Sequence, residues 1–405
     1  MKNENTPNLS NLLVVNFLFL AFAYAGLSTW NIAIPALKET FKLSDTMVML
    51  GGSMLMLGYG VGSLVESILA ARIGLKKTGL IAAVMLLLPQ FLIPYIPSYG
   101  FILFLRFVQG WGIVWFITVA MVTGWFPLKT RGIASGVVGG SIPVGVGMGG
   151  IIAGWLITMA GSWQSTFLIF GAIVLVVFII WFAYVQNPPA TQEGSAAQAA
   201  ASTTVSPYKY AAGWLVAFAL FFNFIALIGL YSVLGPYLYS LGYKSTQVGT
   251  GLLVCGLIGG ITTPLAGIIG DNIVKKGASP VKARAYIMGF AFLLAAVTAL
   301  LVPVIAPKGY AAMLFVVILA GAGVPMTNAS IGALPTDMLK NPALAGKLFG
   351  MTILIGAALG GTAAPVLGMA IASSMGWQAG FIALGIGAIL GCILSFIIPK
   401  FELKN

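Results

Sequence analysis

One cation dominates the chemistry this chain can attempt. Arg106 lies six residues into a long uncharged run that begins near residue 101, which is roughly 9 Å along a helix. A charge at that depth in a membrane costs several kcal/mol unless it faces water or a partner. Its planar fork suits a carboxylate, so two roles stand open: contact with an anionic ligand, or outward snorkelling that braces the first helix. Gln109 lies one turn further on. Tyr24, Ser28 and Asn31 stand at i, i+4 and i+7, and so share one helix face. Asn223, Tyr231 and Tyr237, and later Thr327 and Asn328, are further polar side chains inside apolar runs. Each serves either ligand contact or helix-to-helix hydrogen bonding. Glu66 is the one acid placed inside a run. It either carries a proton or snorkels to the inner surface to pair with Lys129 or Arg131.

Other chemistry is excluded by composition. The chain has no His, and Cys255 and Cys392 sit apart in separate apolar runs. No nucleophile–base pair or metal-ligand cluster can be assembled, so neither an enzyme nor a cofactor is expected. The two thiols are expected to be buried and inert.

The elements that must position these residues follow from the same composition. Of 405 residues, 60% are hydrophobic and 7% charged, whereas a soluble domain carries about 25% charged residues. At about 20 apolar residues per crossing, the chain has room for a dozen transmembrane helices. The uncharged runs fall at residues 12–37, 46–70, 78–96, 101–125, 132–160 and 164–185, then at 213–241, 246–270, 285–305, 311–335, 348–372 and 378–398. The first run is longer than a signal peptide's and lacks a small-residue cleavage site, so it reads as the first helix. An all-α integral membrane protein of twelve spans is expected, with residues 1–186 forming one six-helix half, 187–210 a flexible linker and 211–405 the second half.

The net charge of +12 is a statement about topology. With the N-terminus inside, fifteen basic residues fall on inner segments, four on outer loops, and Arg106 remains in a span. This bias places both termini in the cytoplasm of a plasma-membrane protein. Anionic lipid headgroups account for the charge, so nucleic acid is not required as a partner.

The halves repeat. Gly132, Gly136, Gly147 and Gly154 recur 214 residues on as Gly346, Gly350, Gly361 and Gly368. At the same spacing Trp163, Gln164 and Phe167 become Trp377, Gln378 and Phe381, and at 211 Gly110 and Gly112 become Gly321 and Gly323. An even number of spans per half makes these parallel repeats about an axis along the membrane normal, with a substrate site between them. Arg106 has Val317 as its counterpart, so the architecture itself does not demand a cation there.

Several motifs then point one way. Gly267, Asp271, Lys275 and Lys276 match the form G-x-x-x-D-x-x-G-[RK]-[RK], with Val274 at the second Gly position; the first half keeps Gly74, Lys76 and Lys77 but has Ser67 and Ala71 in place of the first Gly and the acid. Arg106-Phe-Val-Gln-Gly110-Trp-Gly112 matches R-x-x-x-G-x-G. The chain resembles the major facilitator superfamily of transporters over nearly its whole length. The resemblance implies alternating access, a cavity lined by helices 1, 4, 7 and 10, and a gating role for Asp271 with its neighbouring glycines and lysines. The Gly139–Gly150 stretch lacks the family exporters' G-P-x-x-G-G pattern and reads first as a packing device.

The expected function is alternating-access transport of a small organic anion, such as a monocarboxylate, by a monomer. Arg106, Gln109, Tyr24, Ser28, Asn31, Asn223, Tyr231 and Asn328 are the expected substrate contacts. A proton carried by Glu66, or an exchanged anion, is the expected coupling species. The alternative is proton-driven efflux of hydrophobic compounds, favoured by 25 Phe, 16 Met and 9 Trp.

Overall fold

The computed structural model describes residues 7–126, 131–188, 211–338 and 342–401. Within them, twelve helices are long and apolar enough to cross a membrane: α1 (Leu9–Asn31), α2 (Asp45–Ala70), α3 (Leu75–Tyr95), α4 (Tyr99–Trp125), α5 (Ile133–Ala160), α6 (Trp163–Tyr184), α7 (Gly213–Ser240), α8 (Thr246–Lys275), α9 (Pro280–Lys308), α10 (Tyr310–Leu334), α11 (Leu348–Met375) and α12 (Trp377–Phe401). Helices are what lipid permits, because each satisfies its own backbone hydrogen bonds. Most of the expected linker, from residue 189 on, lies outside the described residues.

Small polar residues set several helix starts. Asn8, Ser44, Ser162 and Ser279 each accept a hydrogen bond from the backbone N–H two or three residues on, as N-caps do. The exposed outer faces are apolar, for example Val176, Ile179 and Ile180 of α6, as a lipid-facing surface requires. We call the end that carries Arg72, Lys76, Lys275 and Lys276 the basic end.

Four spans are interrupted. In α1 the Ser28 hydroxyl donates to the Tyr24 carbonyl, and a second helix, Thr29–Phe41, carries the span onward. In α4 the helix stops at Trp111 and resumes at Trp115. In α10 a 3-10 turn with Pro325 intervenes. In α11 residues Leu354–Gly361 form a π-helix. The breaks in α4 and α10 follow the repeated glycine pairs, and the close packing repeats with them. A Cβ at Gly110 would collide with the Leu55 carbonyl, and one at Gly321 with the Cys255 carbonyl.

The two sets of six helices meet along two antiparallel seams. Between α5 and α8, a Cβ added at Gly136 would meet Pro264 at 3.0 Å, at Gly140 the Gly260 oxygen at 2.9 Å, and at Gly147 the Leu252 oxygen at 3.0 Å. Between α2 and α11, Ser53 donates to the Thr362 carbonyl at 2.7 Å and Thr362 donates to the Ser53 carbonyl at 3.3 Å. Gly60 lies against Ala358, and Gly350 against Leu64 and Ser67. Small residues bring the helix backbones together here, the usual device where no hydrophobic effect drives helix association. Both seams run from the basic end into the middle of the bundle, so the halves are packed against each other there.

Candidate functional site

A cavity of about 50 Å³ lies where the two halves face each other. Six spans line it: Tyr24 of α1, Met56 of α2, Trp115 of α4, Ile142, Pro143 and Val146 of α5, Phe224, Leu227, Ile228 and Tyr231 of α7, and Pro325 and Asn328 of α10. The breaks in α4 and α10 put Trp115 and Pro325 on its wall. A water needs about 10–15 Å³ on this measure, so the space holds a few waters. A sugar-sized solute enters only if the halves separate.

The wall is largely apolar, and the lining contains no charged side chain. Its polar groups are Tyr24, Trp115, Tyr231 and Asn328. The Trp115 indole Nε1 is buried without a hydrogen-bond partner. Tyr231 accepts a long contact from the Cys255 thiol, at 3.8 Å. On the basic-end side, aromatic rings close over the cavity: Tyr59 against Trp115 at 6.5 Å and against Phe224 at 6.1 Å, and Phe349 against Trp115 at 6.2 Å and Phe116 at 5.9 Å.

Three of the eight expected substrate contacts therefore line the cavity: Tyr24, Tyr231 and Asn328. Arg106 and Gln109 do not. Arg106 is 1% exposed and is held wholly within the amino half. Its Nε donates to the Gly51 carbonyl at 3.2 Å, one terminal nitrogen donates to Gln109 Oε1 at 2.5 Å, and its guanidinium lies 4.7 Å from the Trp30 ring centre. Gln109 in turn donates to Gln90 at 2.6 Å, and Gln90 donates to the Phe167 carbonyl at 3.2 Å. This network ties α1, α2, α3, α4 and α6 together, and it satisfies the cation without snorkelling or a carboxylate. Asn31 is exposed beyond the α1 break, and Ser28 is spent on the Tyr24 carbonyl. Asn223 accepts from Thr327 at 2.6 Å, which binds α7 to α10. Tyr237 donates to the Pro303 carbonyl at 3.2 Å.

The motif residues sit at the basic end. Asp271 pairs with Arg284 at 2.5 Å, Arg284 also reaches Asp337 at 3.3 Å, and its remaining nitrogen donates to the Gly267 carbonyl at 3.4 Å. This cluster joins α8, α9 and the segment just past α10 within the carboxyl half. Lys275 and Lys276 are exposed. Among the described residues of the amino half, no acid takes the place of the missing one. Gly74 adopts a positive φ of 86° at the α2–α3 turn, the Lys76 N–H donates to Asn187 Oδ1 at 2.9 Å, and the Lys76 ammonium lies over Phe182.

The burial of Glu66 does not fit a side chain that snorkels to the surface, while the expected pairing with Lys129 or Arg131 falls outside the described residues. The residue is 1% exposed, and neither carboxylate oxygen has a hydrogen-bond partner. Lys129 and the Arg131 side chain lie outside the described residues. Sequence reasoning also missed Trp115, Tyr59 and Gln90. A Trp placed mid-span, away from either interface where Trp usually anchors, was the available signal for Trp115.

Comparison with known proteins gives these residues a family context. The family model described as Major Facilitator Superfamily matches residues 17–361. A hexuronate transporter of Bacillus subtilis is 27% identical over 281 residues, covering 66% of this chain and 66% of that protein. A probable galactarate/D-glucarate transporter of Escherichia coli is 24% identical over 185 residues, covering 44% of this chain and 41% of that protein. The chain thus spans less than two thirds of the length of either relative. Among solved structures, the proton:xylose symporter bound to 6-bromo-6-deoxy-D-glucose aligns with a TM-score of 0.76 at 14% identity, over 95% of this chain and 94% of that one. The human organic anion transporter TETRAN aligns at 0.68 with 14% identity, over 96% of this chain and all of that one. At such identities the structural likeness speaks for the fold.

Proposed function

The chain belongs to the major facilitator superfamily of membrane transporters, and from that premise we propose that it carries a small organic monocarboxylate, of the hexuronate kind, across the plasma membrane by alternating access. The observation that carries the proposal is the cavity wall. Its few polar residues, Tyr24, Trp115, Tyr231 and Asn328, come from both halves and are neutral, and no acid stands among them to repel an anion. Tyr24, Trp115, Tyr231 and Asn328 hold the carboxylate and hydroxyls, while apolar faces such as Met56, Phe224 and Leu227 pack against the carbon skeleton. A neutral donor set suits one carboxylate better than two, because there is no cation to offset a second charge. The likeness to a hexuronate transporter supports the same class.

In this reading Arg106 and Gln109 brace the amino half, so that Trp115 is presented at a fixed angle, and they touch no substrate. The Asp271–Arg284–Asp337 cluster stiffens the basic end of the carboxyl half as the two rock. In this reading both termini face the cytoplasm, which the excess of basic residues on one set of loops supports, and one copy of the chain suffices. A narrow cavity between the halves that holds only a few waters is compatible with one stage of such a cycle. Proteoliposomes test the proposal. Uptake of radiolabelled glucuronate that is competed by unlabelled monocarboxylates supports it; absence of uptake by folded protein sinks it.

A second reading rests on one specific observation. Most of the wall is apolar, which also fits efflux of hydrophobic compounds in exchange for protons. Extrusion of a lipophilic cationic dye, unaffected by glucuronate, would favour it.

A further inference from the structure

Buried polar atoms without partners are rare in folded proteins, and each calls for an explanation. Seven such side-chain atoms occur among the described residues: Trp30 Nε1, Tyr59 OH, Ser63 Oγ, both oxygens of Glu66, Trp115 Nε1 and Asp271 Oδ2. Five of the seven belong to one cluster. Tyr59, Ser63 and Glu66 stand at i, i+4 and i+7 on α2, which places them on a single face. The same face begins at Met56, on the cavity wall, and the Tyr59 ring lies tilted beside Trp115, also on the wall. It ends at Glu66, four residues before the last residue of the span at the basic end. Every turn of this stripe thus carries a group able to hydrogen-bond to water.

We infer that Glu66 is a proton-binding site of the transport cycle, and that the hydroxyls of Tyr59 and Ser63 connect it, through bridging water, to the cavity. The inference deepens the carboxylate reading and rests on it for the identity of the co-substrate. Seven residues separate Tyr59 from Glu66, about 10 Å of helix rise, a distance that two hydroxyls and intervening waters can bridge. The stripe passes the aromatic layer of Tyr59, Trp115 and Phe349, which otherwise seals the cavity from the basic end.

Among the described residues, no cation is paired with Glu66. On α2 itself, Arg72 is exposed beyond the span. The facing part of α4 presents Trp111 and Trp115, and the one cation of that helix, Arg106, is bound to Gly51 and Gln109 near the other end. From α3, the Lys76 ammonium is turned onto Phe182. α1 contributes Tyr24 at the cavity, and α11 presents Phe349; the side chains of Lys347 and Arg131 lie outside the described residues. Asp271, another acid buried in the bundle, is already paired with Arg284.

The step balances simply. A proton from water on one side forms an O–H bond with a Glu66 oxygen, and that bond breaks to water on the other side. Each hydroxyl of the stripe donates one hydrogen bond as it accepts another. One proton moves with one monocarboxylate, so the translocated pair is electrically neutral.

Full-length protein in proteoliposomes tests this with radiolabelled glucuronate, comparing wild type with Glu66→Gln. Wild type is expected to show both counterflow and uptake driven by a pH gradient, with no response to an imposed membrane potential. Glu66→Gln is expected to retain counterflow and lose the drive from the pH gradient. Gradient-driven uptake that survives in Glu66→Gln overturns the inference, as does wild-type counterflow indifferent to the gradient. Absence of counterflow in wild type strikes the substrate reading instead, and an infrared measurement then decides the proton site without substrate. A carboxyl band that follows pH in wild type and is missing in Glu66→Gln supports the site; identical bands in the two proteins overturn it. Should Glu66→Gln fail to fold, Tyr59→Phe combined with Ser63→Ala serves in its place. Slowed gradient-driven uptake with counterflow retained supports the stripe, and unchanged rates in both overturn it.

Discussion

Gly60 offers a direct way to push the two halves apart. It lies on α2 in the seam with α11, where an added Cβ would sit 2.6 Å from both the Cβ and the backbone nitrogen of Ala358. Carbon atoms rest at about 3.5–4.0 Å, so Gly60→Ala requires a displacement of about 1 Å. The obstacle is backbone of the π-helical segment Leu354–Gly361, which cannot swing aside as a side-chain tip would. Overpacking of this kind costs about 1–3 kcal/mol. Because the clash exists only while the halves are closed, the cost falls on that state and raises the open population by about 5- to 150-fold. Cys255 is a native reporter: it is 1% exposed, and its thiol approaches Tyr231 on the cavity wall. In a Cys392→Ser background, its alkylation by a small maleimide is expected to accelerate by a comparable factor. Gly154→Ala on α5 is the control, since a Cβ there meets nothing within 4 Å. Equal alkylation rates for the two variants, both folded by thermal melting, would refute the argument that this seam holds the closed state.

Further substitutions separate structural from ligand-binding roles. Arg106→Gln removes two charge-assisted hydrogen bonds, at about 1.5 kcal/mol or more each, so its melting temperature should fall while the folded fraction still binds glucuronate. A Kd weakened about tenfold at an unchanged melting temperature would instead place Arg106 on the substrate. Trp115→Phe keeps the ring and deletes the N–H; calorimetry should give a glucuronate Kd about tenfold weaker, the loss of one good hydrogen bond. Arg284→Met leaves Asp271 buried without its cation and is expected to cost about 3–5 kcal/mol, seen in detergent melting. Lys38→Met, which breaks an exposed pair with Asp45, should cost no more than about 1 kcal/mol.

The helices and their repeat were legible in the sequence because lipid acts locally. An uncharged run of sufficient length must be a helix, and glycines recur where backbones touch, as Gly110 and Gly321 do against Leu55 and Cys255. The rotation of each helix about its axis was much less legible, since it depends on neighbours distant in sequence. Tyr24, Ser28 and Asn31 share a face on a continuous helix, but the interruption at Ser28 separates them. Arg106 shows the same limit in energetic form. A buried cation needs partners, yet the sequence does not say whether a ligand, water or the protein supplies them; Gly51, Gln109 and Trp30 do so here. The isolation of Glu66 is a property of everything around it, and only the packed bundle reveals it.

The central claim is that two closed halves alternate around a cavity that selects a monocarboxylate. Counterflow tests it most directly: proteoliposomes loaded with unlabelled glucuronate, diluted into a trace of labelled glucuronate, with no pH or voltage gradient. The account predicts transient accumulation of label above its external concentration, abolished by unlabelled monocarboxylate outside. Folded protein that gives no such overshoot, yet still extrudes a lipophilic dye, would contradict it.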